Sequence, residues 1–147
     1  MTIFPGILEN TILISAVTAW FIAQVLKVII NFTIHRTFDL GFLISSGGFP
    51  SSHSATVSAL ALGIGKYYGW DSPIFAVAAI FAMIVMYDAA GVRRAAGKQA
   101  EVINQLVEGL YQQMSHLSQE RLKELIGHTP FEVFAGATVG ILVGLLL

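Results

Sequence analysis

Pro73-Ile74-Phe75-Ala76-Val77-Ala78-Ala79-Ile80-Phe81-Ala82-Met83-Ile84-Val85-Met86-Tyr87-Asp88-Ala89-Ala90 carries no charge until Asp88. A helix needs about 20 residues to cross the ~30 Å hydrocarbon core of a bilayer, and this run is close to that length. Three further apolar segments accompany it: Ile7 to Ile34, interrupted by Lys27; Ser52 to Tyr68; and Phe131 to Leu147. The shorter ones span with the help of flanking residues or local thinning of the bilayer. Composition agrees. The chain of 147 residues is 55% hydrophobic and 12% charged, with a mean hydropathy of +0.73. Soluble domains carry about 25% charged residues, so lipid is the expected solvent. The fold class expected is an all-α integral membrane bundle of about four transmembrane helices forming one domain over residues 1–147.

A net charge of −1 gives no footprint for nucleic acid. The absence of cysteine removes disulfides, thiol nucleophiles and Cys-ligated zinc. No Lys or Arg precedes the first apolar run, so that run reads as a retained membrane segment rather than a signal peptide.

Tyr67-Tyr68-Gly69-Trp70-Asp71-Ser72-Pro73 reads as an interfacial turn, with two helix breakers and aromatics suited to the headgroup level. The long polar stretch, residues 91–127, reads as a helical insertion. Within it Val102, Ile103, Leu106, Leu110, Met114 and Leu117 recur every three or four residues, one face of an amphipathic helix. That face has three possible covers: the protein's own surface, a second subunit or the membrane. Gly136, Gly140 and Gly144 form a small-xxx-small ladder that allows close helix approach, inside the bundle or between copies. A homo-oligomer through this ladder or through the polar helix is the expectation for protein partners.

Alternating helix direction gathers the polar residues. The first segment ends, the second begins, the third ends and the fourth begins on one side. Lys27, Arg36, Ser52, His53, Asp88, Arg93, Arg94, His128 and Glu132 therefore collect near one membrane face. The other face receives Glu9, Lys66, Asp71 and aromatics. Ionisable groups in membrane segments are costly and mark function. In Gly47-Gly48-Phe49-Pro50-Ser51-Ser52-His53, Gly48 permits close backbone approach, while Ser51 and Ser52 suit a helix start whose free N–H groups bind phosphate oxygens. Arg93 and Arg94 offer forked donors. Lys27 either snorkels or contributes charge, and Asp88 either pairs with an arginine or helps bind a metal or substrate. His128 and Glu132, four apart, face the same side, and a carboxylate on one ring nitrogen makes the other more nucleophilic. His35 and His116 have no comparable setting and read as surface histidines.

Pro50-Ser51-Ser52-His53 resembles the P-S-G-H signature of the type 2 phosphatidic acid phosphatase superfamily, which includes vanadium haloperoxidases. His128 to Gly136 resembles the end of its third motif, with Glu132 in place of aspartate and Arg94 as its arginine. Gly47–Ala55 and Tyr87–Gln99 resemble the divergent branch of the superfamily. The chain departs from the pattern in three ways. The polar stretch separates Arg94 from His128, Arg93 replaces a serine, and Thr37 follows Arg36 where proline is usual.

The resemblance implies a lipid phosphate phosphatase. His128 would attack phosphorus to form a phosphohistidine, Glu132 would orient it, and His53 would protonate the leaving oxygen and then activate water. Lys27, Arg94 and the amides near Ser51 and Ser52 would hold the developing charge, with Arg93, Gly48 and, more remotely, Asp88 and Arg36 assisting. The superfamily's hydrolases need no metal, although Asp88 and Glu101 leave a divalent ion open here. The implied partner is a phosphorylated membrane lipid. The alternative is a non-enzymatic protein that binds such a lipid, or a phosphorylated partner, through the same anion pocket. Lys98, Arg121 and Lys123 on the site's side, against Lys66 on the other, place the site at the cytoplasmic face by the positive-inside bias.

Overall fold

The computed structural model describes residues 3–36, 47–111, 122 and 127–147. All regular structure among them is helical: α1 (Ile3–Leu8), α2 (Thr11–His35), α3 (Ser52–Tyr68), α4 (Pro73–Ala90), α5 (Val92–Tyr111) and α6 (Pro130–Leu146).

Helix starts follow from local chemistry. The side chains of Asn10, Ser51, Ser72 and Thr129 each accept an N–H from the first turn of α2, α3, α4 and α6 respectively, and Pro73 and Pro130 open their helices. These are the residue types that satisfy the free donors of a helix start. The Asn10 cap corrects one expectation, because the apolar run from Ile7 to Ile34 is not a single helix but breaks between α1 and α2. The turn after α3 forms as read: Gly69 adopts φ 91 and donates its N–H to the Gly65 carbonyl.

α3 is the centre of the bundle, with α6, α2 and α4 packed on it. The interior is built from small residues, including Ala16, Ala19, Ala23, Ala55, Ala59, Ala78 and Ala82, while Val17, Phe21, Val77, Phe81, Met83 and Leu145 point outward. Water would drive the large side chains inward. Lipid removes that drive and lets small residues bring helices into contact. The glycine ladder belongs to this packing. A Cβ at Gly136 would run into the Ser51 carbonyl, one at Gly140 into the Ala55 carbonyl, and one at Gly144 into Leu62. Inside the chain, the ladder lets α6 approach α3 closely.

Two helical stretches, Thr11–Ile34 and Pro73–Gly109, are long and apolar enough to cross a membrane, and Pro130–Leu146 is apolar but shorter. α5 occupies most of the described part of the polar stretch. Its buried positions, Gly97, Ala100 and Asn104, lie on one face. Asn104 clasps the chain at Leu122 through both its amide N and O, at 2.9 and 3.0 Å. Val102, Ile103 and Leu106, the described members of the apolar stripe apart from Leu110, lie off that face and are exposed. Met114, His116, Leu117, Arg121 and Lys123 lie outside the described residues.

Candidate active site

The ends of α2, α3, α4 and α6 meet at one end of the bundle, tied by backbone hydrogen bonds. Ser51 N–H donates to the Glu132 carbonyl at 3.0 Å, joining the start of α3 to α6. His128 N–H donates to the Ala89 carbonyl at 2.9 Å, joining the approach to α6 to the end of α4. Gly127 lies against the Arg93–Arg94 backbone, where a Cβ would collide. Phe49 and Phe131 stack with ring centroids 5.4 Å apart and planes 12° from parallel, pinning the loop before α3 to the first turn of α6.

Within this frame the two imidazoles face one another, with centroids 6.2 Å apart at an angle of 61°. His128 is 1% exposed. Its Nδ1 meets Glu132 Oε2 at 3.2 Å. The same oxygen accepts the Thr129 N–H at 2.9 Å, while Thr129 Oγ1 accepts the Glu132 N–H at 3.3 Å. Thr129-x-x-Glu132 is thus a capping box that holds the carboxylate in place for the histidine. A carboxylate on Nδ1 fixes the proton there and leaves the Nε2 lone pair for chemistry. His53 Nδ1 is buried and has no hydrogen-bond partner among the described residues.

Lys27 is also 1% exposed. Its Nζ donates to Ser52 Oγ at 3.2 Å, so of the two roles considered for it, snorkelling is set aside. Ser51 caps α3, its Oγ accepting from Ser54 N at 3.3 Å and from Ser54 Oγ at 3.0 Å. With Ser51 N–H given to Glu132, the N–H groups of Ser52 and His53 are the remaining donors at the helix start. Gly48, at φ 92, shapes the approach to this turn.

Asp88 Oδ2 binds Arg93 Nε at 2.6 Å, both side chains about 40% exposed, which is the arginine-pairing role considered for Asp88. Arg94, the motif arginine by resemblance, is exposed, whereas Arg93 is half-buried and is the arginine tied to Asp88. Arg36 ends α2 in the left-handed conformation, exposed, roughly two and a half turns or ~13 Å beyond Lys27 along the axis. The structure therefore brings together His53, His128, Glu132, Lys27, Ser51 and Ser52, with the Asp88–Arg93 pair alongside, and leaves Arg36 apart. Glu101 is exposed on α5. No group of three or more metal-ligating side chains gathers among the described residues.

Sequence reasoning missed the capping role of Thr129, whose signal was its spacing from Glu132. It also missed the Ala89 carbonyl and the Phe49–Phe131 stack, which have no local signature.

A small-residue helical bundle with a histidine pair, a carboxylate and a buried lysine gathered at its end defines a class: a helical protein of membrane type with ionisable groups collected at one end. Comparison with known proteins gives the family. Residues 8–143 match the model of the Divergent PAP2 family, and the chain belongs to that family. It is 47% identical over 151 aligned positions, 96% of each chain, to a protein of Bacillus subtilis (strain 168) described as uncharacterized membrane protein YuiD. No solved structure matches. The relative's description and the two long apolar helical stretches together support a membrane location.

Proposed function

We propose that the chain is a lipid phosphate phosphatase with four membrane-crossing helices, α2, α3, α4 and α6. It hydrolyses a phosphomonoester or diphosphate on a membrane lipid through a phosphohistidine. The observation that carries this reading is the pair of imidazoles 6.2 Å apart, one of them held through Nδ1 by Glu132.

His128 Nε2 adds to the terminal phosphorus as its bond breaks to the leaving oxygen, the lipid's own oxygen in a monoester or the bridging oxygen in a diphosphate. His53, starting as the imidazolium, gives its proton to that oxygen, and the lipid alcohol or lipid monophosphate departs. His53, now neutral, takes a proton from water. The water oxygen adds to phosphorus as the P–N bond breaks, releasing phosphate and restoring both histidines. Lys27 and the first-turn N–H groups of α3 neutralise the equatorial oxygens, where charge develops and preorganised donors contribute most. Arg93 supplies a further cation at the rim. Lys98 on the site's side, against Lys66 at the far end, favours a cytoplasmic site. Labelling of single cysteines at Asp71 and Lys98 from either side of sealed vesicles tests that orientation.

Purified protein is expected to release phosphate from phosphatidate, phosphatidylglycerophosphate or a polyprenyl diphosphate, and His128→Ala and His53→Ala to abolish the release. Full activity in His128→Ala rejects the mechanism. A second reading, capture of a phosphorylated lipid without turnover, is favoured by the commitment of Arg93 Nε to Asp88. Saturable phosphatidate binding with no phosphate released from any of the three lipids selects it.

A further inference from the structure

α6 and α4 both lean on α3 through small residues, Gly136 and Gly140 on one and Ala78 and Ala82 on the other. They scarcely touch each other. Their large side chains are left facing across a gap. The result is a groove of about 700 Å³ walled by Met83, Tyr87 and Ala90 of α4 and by Pro130, Phe134 and Ile141 of α6, with the buried Val133 also lining it. No charged side chain lines it. From Pro130 to Ile141 it follows α6 for ~16 Å, a length comparable to half the hydrocarbon core.

One end of this groove lies where His128 is held. Ala90 adjoins Ala89, whose carbonyl accepts the His128 N–H, and Pro130 begins the turn that carries Glu132. The other end runs into the apolar depth of the bundle. We infer that the groove between α4 and α6 is the slot for the hydrocarbon chain of the phosphorylated lipid whose phosphate engages His53 and His128. The inference rests on the anion-site reading for the headgroup. The occupant follows from continuity: an apolar trough leading away from a cationic pocket matches a chain attached to a phosphate. A hydrocarbon lacking that phosphate has no reason to prefer this trough over the rest of the apolar surface.

The test uses full-length protein in phosphatidylcholine vesicles and two photoactivatable lipids carrying a diazirine at mid-chain, a phosphatidate and the corresponding diacylglycerol. The phosphatidate probe is expected to label Met83, Phe134 or Ile141 at least fivefold more than the diacylglycerol probe, and unlabelled phosphatidate to compete. Ala137→Trp, which fills the groove away from the histidines, is expected to remove that preference. It should lower kcat/KM on long-chain phosphatidate about tenfold while leaving a water-soluble aryl phosphate within twofold. Met83→Trp obstructs the slot from the other wall if Ala137→Trp does not accumulate. Equal labelling by both probes, or labelling spread over α2 as heavily as over the groove, overturns the slot. If no substrate is hydrolysed, the phosphatase reading fails while phosphate-dependent labelling of the groove still upholds the slot. Hydrolysis with equal labelling by both probes does the reverse.

Discussion

Glu132 Oε2 lies 3.2 Å from Nδ1 of His128 and 2.9 Å from the N–H of Thr129. One oxygen thus closes a helix cap and sets a tautomer. The two roles separate by substitution. Glu132→Gln keeps an acceptor for the cap and removes the charge facing the imidazole. It is expected to lower kcat by at least a hundredfold with little change in thermal stability, because replacing the carboxylate that orients a catalytic histidine by its amide costs up to about 10⁴ in kcat. Thr129→Ala loses the reciprocal cap and is expected to cost about 1 kcal/mol of stability, with the smaller effect on kcat. Melting curves in detergent beside phosphate-release rates check both.

Lys27 sits buried inside the bundle with Ser52 as a partner. A buried cation is costly to desolvate, and an apolar side chain of similar length is often neutral or stabilising in its place. Lys27→Met is therefore expected to fold as well as the parent and to lose at least a hundredfold in kcat/KM. A large loss of stability with activity retained would make Lys27 a structural residue.

The two adjacent arginines are expected to behave differently. Arg93 is half-buried and tied to Asp88, whereas Arg94 is exposed. Arg93→Ala is expected to cut kcat/KM tenfold or more, and Arg94→Ala to stay within threefold. Asp88→Asn removes an ion pair that is about 40% exposed, so its effect on stability should stay under about 1 kcal/mol. Steady-state kinetics on the two arginine variants and thermal unfolding of Asp88→Asn check these expectations.

Gly140 and Leu142 give a contrast in packing. A side chain at Gly140 meets the Ala55 carbonyl, so Gly140→Leu is expected to push α6 off α3 and cost about 3 kcal/mol, the upper range for overpacking. Leu142 is exposed, and Leu142→Ala should be near neutral. Thermal unfolding in detergent, with a disulfide crosslink engineered between α3 and α6, reports both.

Helix limits were legible because they are local. Ser52–Tyr68 and Pro73–Ala90 begin at capping serines and end beside glycines, and the structure returns the same bounds. The last apolar segment shifts only to Pro130–Leu146. The Asn10 cap was overlooked because hydropathy continues through Ile7 and Leu8 and drowns a single polar residue. The gathering of His53, His128, Glu132 and Lys27 was legible from alternating helix direction alone. Direction says which end of a helix a residue occupies but not which way the helix is turned. For that reason the sequence did not separate Arg93 from Arg94. The exposure of Val102, Ile103 and Leu106 has the same origin: periodicity reveals an apolar face, but not that Gly97, Ala100 and Asn104 form the buried one.

The central claim is that Nε2 of His128 becomes covalently bonded to phosphorus. The direct measurement is rapid acid-free quenching of purified protein during turnover of a ³²P-labelled lipid phosphate, followed by peptide mapping. An acid-labile, alkali-stable label on the peptide containing His128, absent in His128→Ala, is the result expected. Phosphate release with no label on His128, or an unchanged label in His128→Ala, would contradict the account.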